Sequence, residues 1–141
     1  MKRKQRTEIL IDGAPDIAAA LAQEIEGRYE VTTLETPNHG LVMVKVRETA
    51  QNSLFYLGET LVTECKVRIA GHTGVGLLSG DRPEMAYRLA VIDAAYEAQL
   101  EETAAWTAVL QAESERLQAE RHVLEEPIRK TKVQFETMDT E

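Results

Sequence analysis

Leu61-Val-Thr-Glu-Cys-Lys-Val-Arg-Ile69 is the stretch on which the reading of the fold turns. Leu61, Thr63, Cys65, Val67 and Ile69 alternate with Val62, Glu64, Lys66 and Arg68, so one side is mostly apolar and the other polar from Glu64 onward. Successive side chains of a strand point to opposite faces, and a period of two with one apolar side marks a half-buried antiparallel strand. Downstream, Gly71-His-Thr-Gly74 supplies a turn and Val75 to Ser79 a strand running back. Upstream, Tyr29, Val31 and Thr33 alternate with Glu30, Thr32 and Leu34 until the cluster Pro37-Asn-His-Gly40, which reads as a hairpin turn. Leu41 to Arg47 then sets Val42, Val44 and Val46 on one face, the face expected to enter the core. Ser53 to Leu57 adds another strand, punctuated by Gly58 and Glu59. Residues 28–80 are thus expected to hold an antiparallel sheet of about five strands.

The period changes at Gly80. Asp81 is placed as an N-cap, Pro83 lies in the first turn and Glu84 stands three residues after Asp81, a capping-box-like start. Met85, Leu89, Ile92, Tyr96 and Leu100 make a helical apolar stripe, and a weaker one continues through Trp106, Val109, Leu110, Leu117 and Leu124 to Pro127. Residues 81–126 therefore read as one long helix, or as two with a break near Thr103. Residues 127–141 read as a C-terminal arm, either a strand or an ordered extension, with Val133 and Phe135 alternating against Lys132 and Gln134. At the other end, Asp12-Gly-Ala-Pro15 splits residues 1–27 into two short helices, the second carrying Ile17, Ala20, Leu21 and Ile25 at helical spacing. The expectation is a single α+β domain over residues 1–141.

Composition bounds the function. The chain has 141 residues with 16 Lys+Arg against 24 Asp+Glu, a net charge of -8, and it is 43% hydrophobic but only 5% aromatic. That is enough for an aliphatic core without cross-links. Binding to nucleic acid or an anionic membrane rests on excess Lys and Arg, so the acidic balance disfavours both. The basic run Lys2, Arg3, Lys4, Arg6 is followed by too short an apolar stretch for a secretory signal. No segment approaches the roughly 18 apolar residues of a membrane span, and a lone Cys65 forms no internal disulfide. The cytoplasm is the expected compartment.

By themselves the candidate sites are modest. His39 and His72 fall in turns and His122 in a late helix, without metal-ligand spacing, so no bound metal is expected. Cys65 sits on the apolar side of its strand, which favours a small buried hydrophobe over a nucleophile. Gly71, Gly74, Gly76 and Gly80 before a helix suggest a phosphate cradle, but the segment matches no phosphate-binding pattern, and strand turns account for the glycines better. Asp93 lies on or beside the apolar stripe, where a carboxylate must find a partner; a structural hydrogen bond is the commoner use and general acid catalysis the sharper one. Glu59 with Glu64 and Arg82 with Arg88 read as solvated charge. The acidic helix from Asp93 to Glu126 reads as a solvent face or as a docking face for a basic partner.

A resemblance goes further. Gly40-Leu-Val-Met-Val-Lys-Val-Arg47, Leu57-Gly-Glu-Thr-Leu-Val-Thr-Glu-Cys-Lys-Val67, Gly71-His-Thr-Gly-Val-Gly76, Arg88-Leu-Ala-Val-Ile-Asp-Ala-Ala95 and Thr131-Lys-Val-Gln-Phe-Glu-Thr-Met138 occur in order, and together the chain resembles the PhnG family. That family supplies a subunit of the bacterial carbon–phosphorus lyase system. The resemblance implies action with PhnH, PhnI and PhnL to convert ATP and an alkylphosphonate into adenine and a ribose 1-alkylphosphonate 5-triphosphate. It also implies a two-fold hetero-oligomer with PhnH, PhnI and PhnJ, in which PhnJ carries the iron–sulfur cluster and S-adenosylmethionine. No cofactor is then expected on this chain, and ATP is a substrate of the complex. Should the chain lend residues to a shared site, Glu59, Glu64 and Asp93 are the candidates for acid or hydrogen-bonding work, and Arg68 and Arg88 for phosphate contact. A protein-binding or scaffold domain without enzymatic role is the alternative.

Overall fold

Alternation of Thr63, Cys65, Val67 and Ile69 on one side of a strand builds the centre of the molecule, where all four are buried to within 1% of full. In this computed structural model, which describes residues 1–48, 50–51 and 53–140 with side chains as far as residue 123, that strand is β2 (Leu54–Ile69). It lies between β1 (Thr32–Arg47) and β3 (His72–Ser79) in an antiparallel meander of order β1-β2-β3. The turn after Ile69 is Ala70-Gly71, both at positive φ (50° and 80°), the geometry of a tight two-residue hairpin. His72 and Gly74, expected in a turn, are therefore strand residues.

Three strands replace the expected five because two expected breaks are bulges. The expected strand from Tyr29 begins only at Thr32, and it joins 41–47 in β1, with shifts of register between Thr33 and Glu35 and between Glu35 and Asn38. Pro37 is tolerated within this irregularity because β1 is an edge strand and needs no N–H on its outer side. Likewise 53–57 and 61–69 join into β2, where Leu57 is the extra residue at a shift between Val44↔Gly58 and Lys45↔Tyr56.

Four helices, α1 (Arg3–Asp12), α2 (Pro15–Glu26), α3 (Pro83–Glu97) and α4 (Thr103–Thr140), complete the fold. The core joins Ile9 and Leu10 of α1, Leu21 and Ile25 of α2, Met85, Leu89 and Ile92 of α3, and Trp106 and Leu110 of α4 to the inner face of the sheet. The α3 backbone presses directly onto β3. A Cβ at Gly76 would stand 1.9 Å from the Ala86 carbonyl oxygen, and one at Gly74 2.2 Å from that of Ala90. Ala86, Ala90 and Ala94, all fully buried, form a second stripe along α3 that the larger apolar residues hide in the sequence. These strand glycines are thus packing residues, whereas Gly71 and Gly80, at φ 80° and 89°, serve turns.

The N-cap of α3 is Arg82, with no side-chain cap, and Asp81 instead meets His39, its Oδ1 2.7 Å from His39 Nε2. Gln99, at φ 53°, ends α3: its N–H bonds Tyr96 O at 3.0 Å and that of Leu100 bonds Ala95 O at 3.1 Å, a Schellman closure without glycine. The break before Thr103 follows from it. The expected arm over 127–141 is helical instead, since α4 runs through Pro127 to Thr140. A proline removes one helical hydrogen bond, and the Glu, Lys, Arg and Gln around it are good helix formers that carry the helix across.

Candidate functional site

Three side-chain constellations define what the described residues can do, beginning with Asp93. Arg3 and Arg6 stand three apart on one face of α1, and both reach this carboxylate: Arg3 Nη2 lies 2.6 Å from Oδ2 and Arg6 Nη2 3.3 Å from Oδ1. The Val75 N–H donates to Oδ2 at 2.9 Å, so Asp93 also caps the outer edge of β3. Arg6 lies with its guanidinium carbon 4.0 Å from the centre of the Tyr96 ring, and Tyr96 meets Trp106 edge-on at 5.9 Å. Burying a carboxylate requires this many partners. The basic run at the N-terminus, read in the sequence against a targeting role, is in part the counter-charge of Asp93, and the i, i+3 spacing of Arg3 and Arg6 was its signal.

A second buried carboxylate, Glu102, ties α4 to the segment after α2. Tyr29 Oη donates to it at 3.0 Å and Arg28 Nη1 at 3.2 Å. Its own backbone N–H holds the carboxyl below the usual carboxylate range, with Tyr29 and Arg28 adding to the effect against the opposing influence of burial. The same contact raises the Tyr29 phenol. Nearby, Trp106 Nε1 donates to Glu24 at 3.1 Å. Cys65 is fully buried and donates to Glu35 O at 3.3 Å, and burial first, then the Glu35 charge, raises its thiol, which makes it a poor nucleophile.

The remaining candidates are dispersed. Glu59 is exposed on β2 opposite Met43. Glu64 and Arg68 lie on the sheet face away from the helices, with Lys66 between them bridging Glu64 at 3.6 Å and Glu35 at 3.5 Å. Arg88 is on α3, 3.9 Å from Glu84, between an open groove of about 390 Å³ lined by Ala22, Glu26, Pro37 and Tyr87 and a second of about 370 Å³ lined by Pro15, Arg82 and Met85. Burial, followed by Glu26, raises the Tyr87 phenol at the first groove. Glu59, Glu64 and Asp93 thus stand on separate parts of the fold. Among the described residues no group of three His, Cys, Asp or Glu side chains is placed to hold a metal ion, and no helix is long and apolar enough to cross a membrane.

The third constellation is apolar and was missed. β3 pairs with β2 only from Val62 to Ile69, so the farther halves of β1 and β2 form a two-stranded ribbon. Val42, Val44 and Val46, expected in the core, are 43%, 38% and 37% exposed because they face away from the helices and, among the described residues, no second layer covers that side. Leu41 and Met43, on the helix-side face, are more exposed still at 66% and 55%. The signal was available: Leu41-Val-Met-Val44 and Leu54-Phe-Tyr-Leu57 are apolar on both faces, whereas a strand with one solvated face alternates.

The described side chains thus leave a bare apolar ribbon at one end of the sheet and commit Arg3, Arg6 and Arg28 to internal carboxylates. No curated protein matches the chain. A family model does, over residues 1–139, and by that match the chain belongs to the family of the phosphonate metabolism protein PhnG.

Proposed function

We propose that this chain is an obligate subunit of the carbon–phosphorus lyase core assembly. It acts with PhnH, PhnI and PhnL in transferring an alkylphosphonate to C1′ of the ATP ribose. A phosphonate oxygen forms the new bond to C1′, the bond from C1′ to adenine breaks, and adenine leaves with a proton, giving α-D-ribose 1-methylphosphonate 5-triphosphate when the substrate is methylphosphonate. The observation that carries the reading is the family match over residues 1–139, which places the chain in phosphonate metabolism.

Physical chemistry supports an accessory part. The reaction needs stabilisation of the leaving base, an oxocarbenium-like centre and cationic groups for two polyanionic reactants. A chain of net charge -8 whose Arg3, Arg6 and Arg28 are committed to internal carboxylates is ill suited to supply them alone. In this reading the chain by itself is inactive and works in the cytoplasm within a two-fold hetero-oligomer that includes PhnJ. ATP is a substrate of the complex, and the iron–sulfur cluster and S-adenosylmethionine sit on PhnJ. Residues lent to a shared site would be Glu59, Glu64 or Asp93 for hydrogen bonding and Arg68 or Arg88 for phosphate contact.

The test is adenine release from ATP and methylphosphonate by PhnH, PhnI and PhnL with this chain present and then omitted, with the product followed by phosphorus NMR. Loss of product on omission is expected. Equal product in both mixtures would reduce the chain to a binding or scaffold domain.

A further inference from the structure

Arg3, Arg6, Arg28, Arg116 and Arg121 each hydrogen-bond a carboxylate of this chain. Arg82 and Arg88 do not. Among the described residues no carboxylate pairs with the Arg82 side chain, and Arg88 has only Glu84 at 3.9 Å, beyond hydrogen-bond reach, with that glutamate 86% exposed. The same two arginines line one open groove of about 370 Å³, with Pro15, Pro83 and Met85 as its apolar part and Glu84 as its one acidic residue. Two cations against one anion make a positive spot on a chain of net charge -8. The volume falls within the roughly 300–1,000 Å³ of small-ligand clefts.

The fold fixes Arg82 there and keeps other carboxylates away. Thr63, fully buried at the centre of β2, accepts the Arg82 N–H at 3.0 Å and donates to Gly80 O at 2.5 Å. Asp81, next to Arg82 in the chain, meets His39 at 2.7 Å and does not line the groove. Glu26 belongs to the neighbouring groove, where it acts on Tyr87. Arg68, by contrast, offers a single guanidinium in a groove of about 300 Å³ that also holds Glu30. A phosphorus oxyanion presents more oxygens than one guanidinium fork satisfies, so two forks on one groove suit it better than one beside a carboxylate.

We propose that Arg82 and Arg88 together bind a phosphorus oxyanion of the reactants. This rests on the reading of the chain as a subunit of the transferase assembly, adds Arg82 as a further contact and selects Arg88 over Arg68. ATP and the alkylphosphonate both carry such a group, and the test separates them.

The test is steady-state adenine release by the full-length chain with PhnH, PhnI and PhnL, with ATP and methylphosphonate varied in turn. Arg82→Ala and Arg88→Ala are each expected to raise the KM for the same one of the two substrates about tenfold, the loss of one charge-assisted contact. A rise for ATP assigns the triphosphate, and a rise for methylphosphonate assigns the phosphonate. Arg82→Lys and Arg88→Lys keep the charge without the fork and recover part of the loss, while Glu84→Gln removes the one anion of the groove and lowers the same KM. Circular dichroism and co-elution with the partner subunits check that each variant folds and assembles. Unchanged KM values for both substrates when Arg82→Ala and Arg88→Ala are combined overturn the proposal and leave the subunit reading intact. Loss of co-elution by folded variants also overturns it, since the arginines then dock a partner subunit and not a substrate. Equal product with the chain omitted removes the subunit reading and this proposal with it.

Discussion

Between Val62 and Ile69, β2 is flanked by strands on both sides and covered by α3, and Cys65, Val67 and Ile69 are fully buried. Between Leu54 and Leu61 the same strand has, among the described residues, one neighbour and no cover, and its leucines are 41% to 59% exposed. The buried half is no more hydrophobic than the bare half: it includes Thr63, Gly74 and Gly76, while the ribbon carries Phe55, Tyr56 and four leucines. Burial here is decided by whether a second layer can approach. Small residues let α3 come within backbone contact of β3, and among the described residues no helix lies over the ribbon.

The strongest way to break that contrast is to add one methyl group on each side of it. Gly76→Ala would drive a Cβ to 1.9 Å from a helix backbone carbonyl, which neither α3 nor β3 can yield without opening the core. A loss of more than about 4 kcal/mol, or failure to fold, is expected in urea denaturation. Gly40→Ala, at the root of the ribbon, meets nothing closer than a Val62 methyl at 3.7 Å and should change stability by less than about 0.5 kcal/mol. Similar costs at both positions would mean that α3 does not seat on β3 as closely as described.

Asp93 tests the polar side of the packed region. Asp93→Ala leaves Arg6 buried without its partner and Val75 N–H without its acceptor, and should cost about 3 kcal/mol. Asp93→Asn keeps acceptor capacity and should cost less. The pair also separates structure from chemistry: if Asp93→Asn retains stability and assembly yet abolishes adenine release by the reconstituted subunits, Asp93 works in a shared site as well as in the fold.

The helix pair at the N-terminus, the sheet, the start of α3 and the inward face of β2 could be read from periodicity and proline. What could not be read depends on neighbours. Pro37 and Gly58 look like turn residues but sit at bulges in an edge strand and its partner, and only pairing distinguishes the two. Gln99 closes α3 in a left-handed conformation normally given to glycine, so the sequence carries no stop signal there. Of the candidate site residues, Asp93 was legible as a carboxylate in need of partners, while the arginines that meet it come from 87 and 90 residues away. The dispersal of Glu59, Glu64, Arg68 and Arg88 is a property of the fold that spacing along the chain does not reveal.

A smaller effect is expected at Glu102, outside the sheet. Its carboxyl is held below the usual value near 4.3, so the folded state binds that proton less readily than the unfolded one. The stabilisation is therefore complete above about pH 4.3 and is lost as the pH falls through the depressed folded value. Glu102→Gln should reduce stability at neutral pH and flatten the acid limb of a stability profile measured from pH 2 to 7. An unchanged acid limb would show that the backbone N–H, Tyr29 and Arg28 do not together stabilise the charged form.

The smallest effect belongs to the ribbon, and there its smallness is the result. Val44→Ser and Phe55→Ser replace side chains already 38% and 49% in water, with no helix or second sheet of the described residues above them, so each should alter the stability of the isolated chain by less than about 0.5 kcal/mol. The same substitutions in the buried half, such as Val67→Ser or Ile69→Ser, remove full burial and should cost about 3 kcal/mol each. The apolar surface of the ribbon is then one that folding of this chain does not use. If the ribbon substitutions instead prove as costly as those at Val67 and Ile69, the ribbon is packed within the chain itself. The contrast between the two halves of the sheet would then vanish.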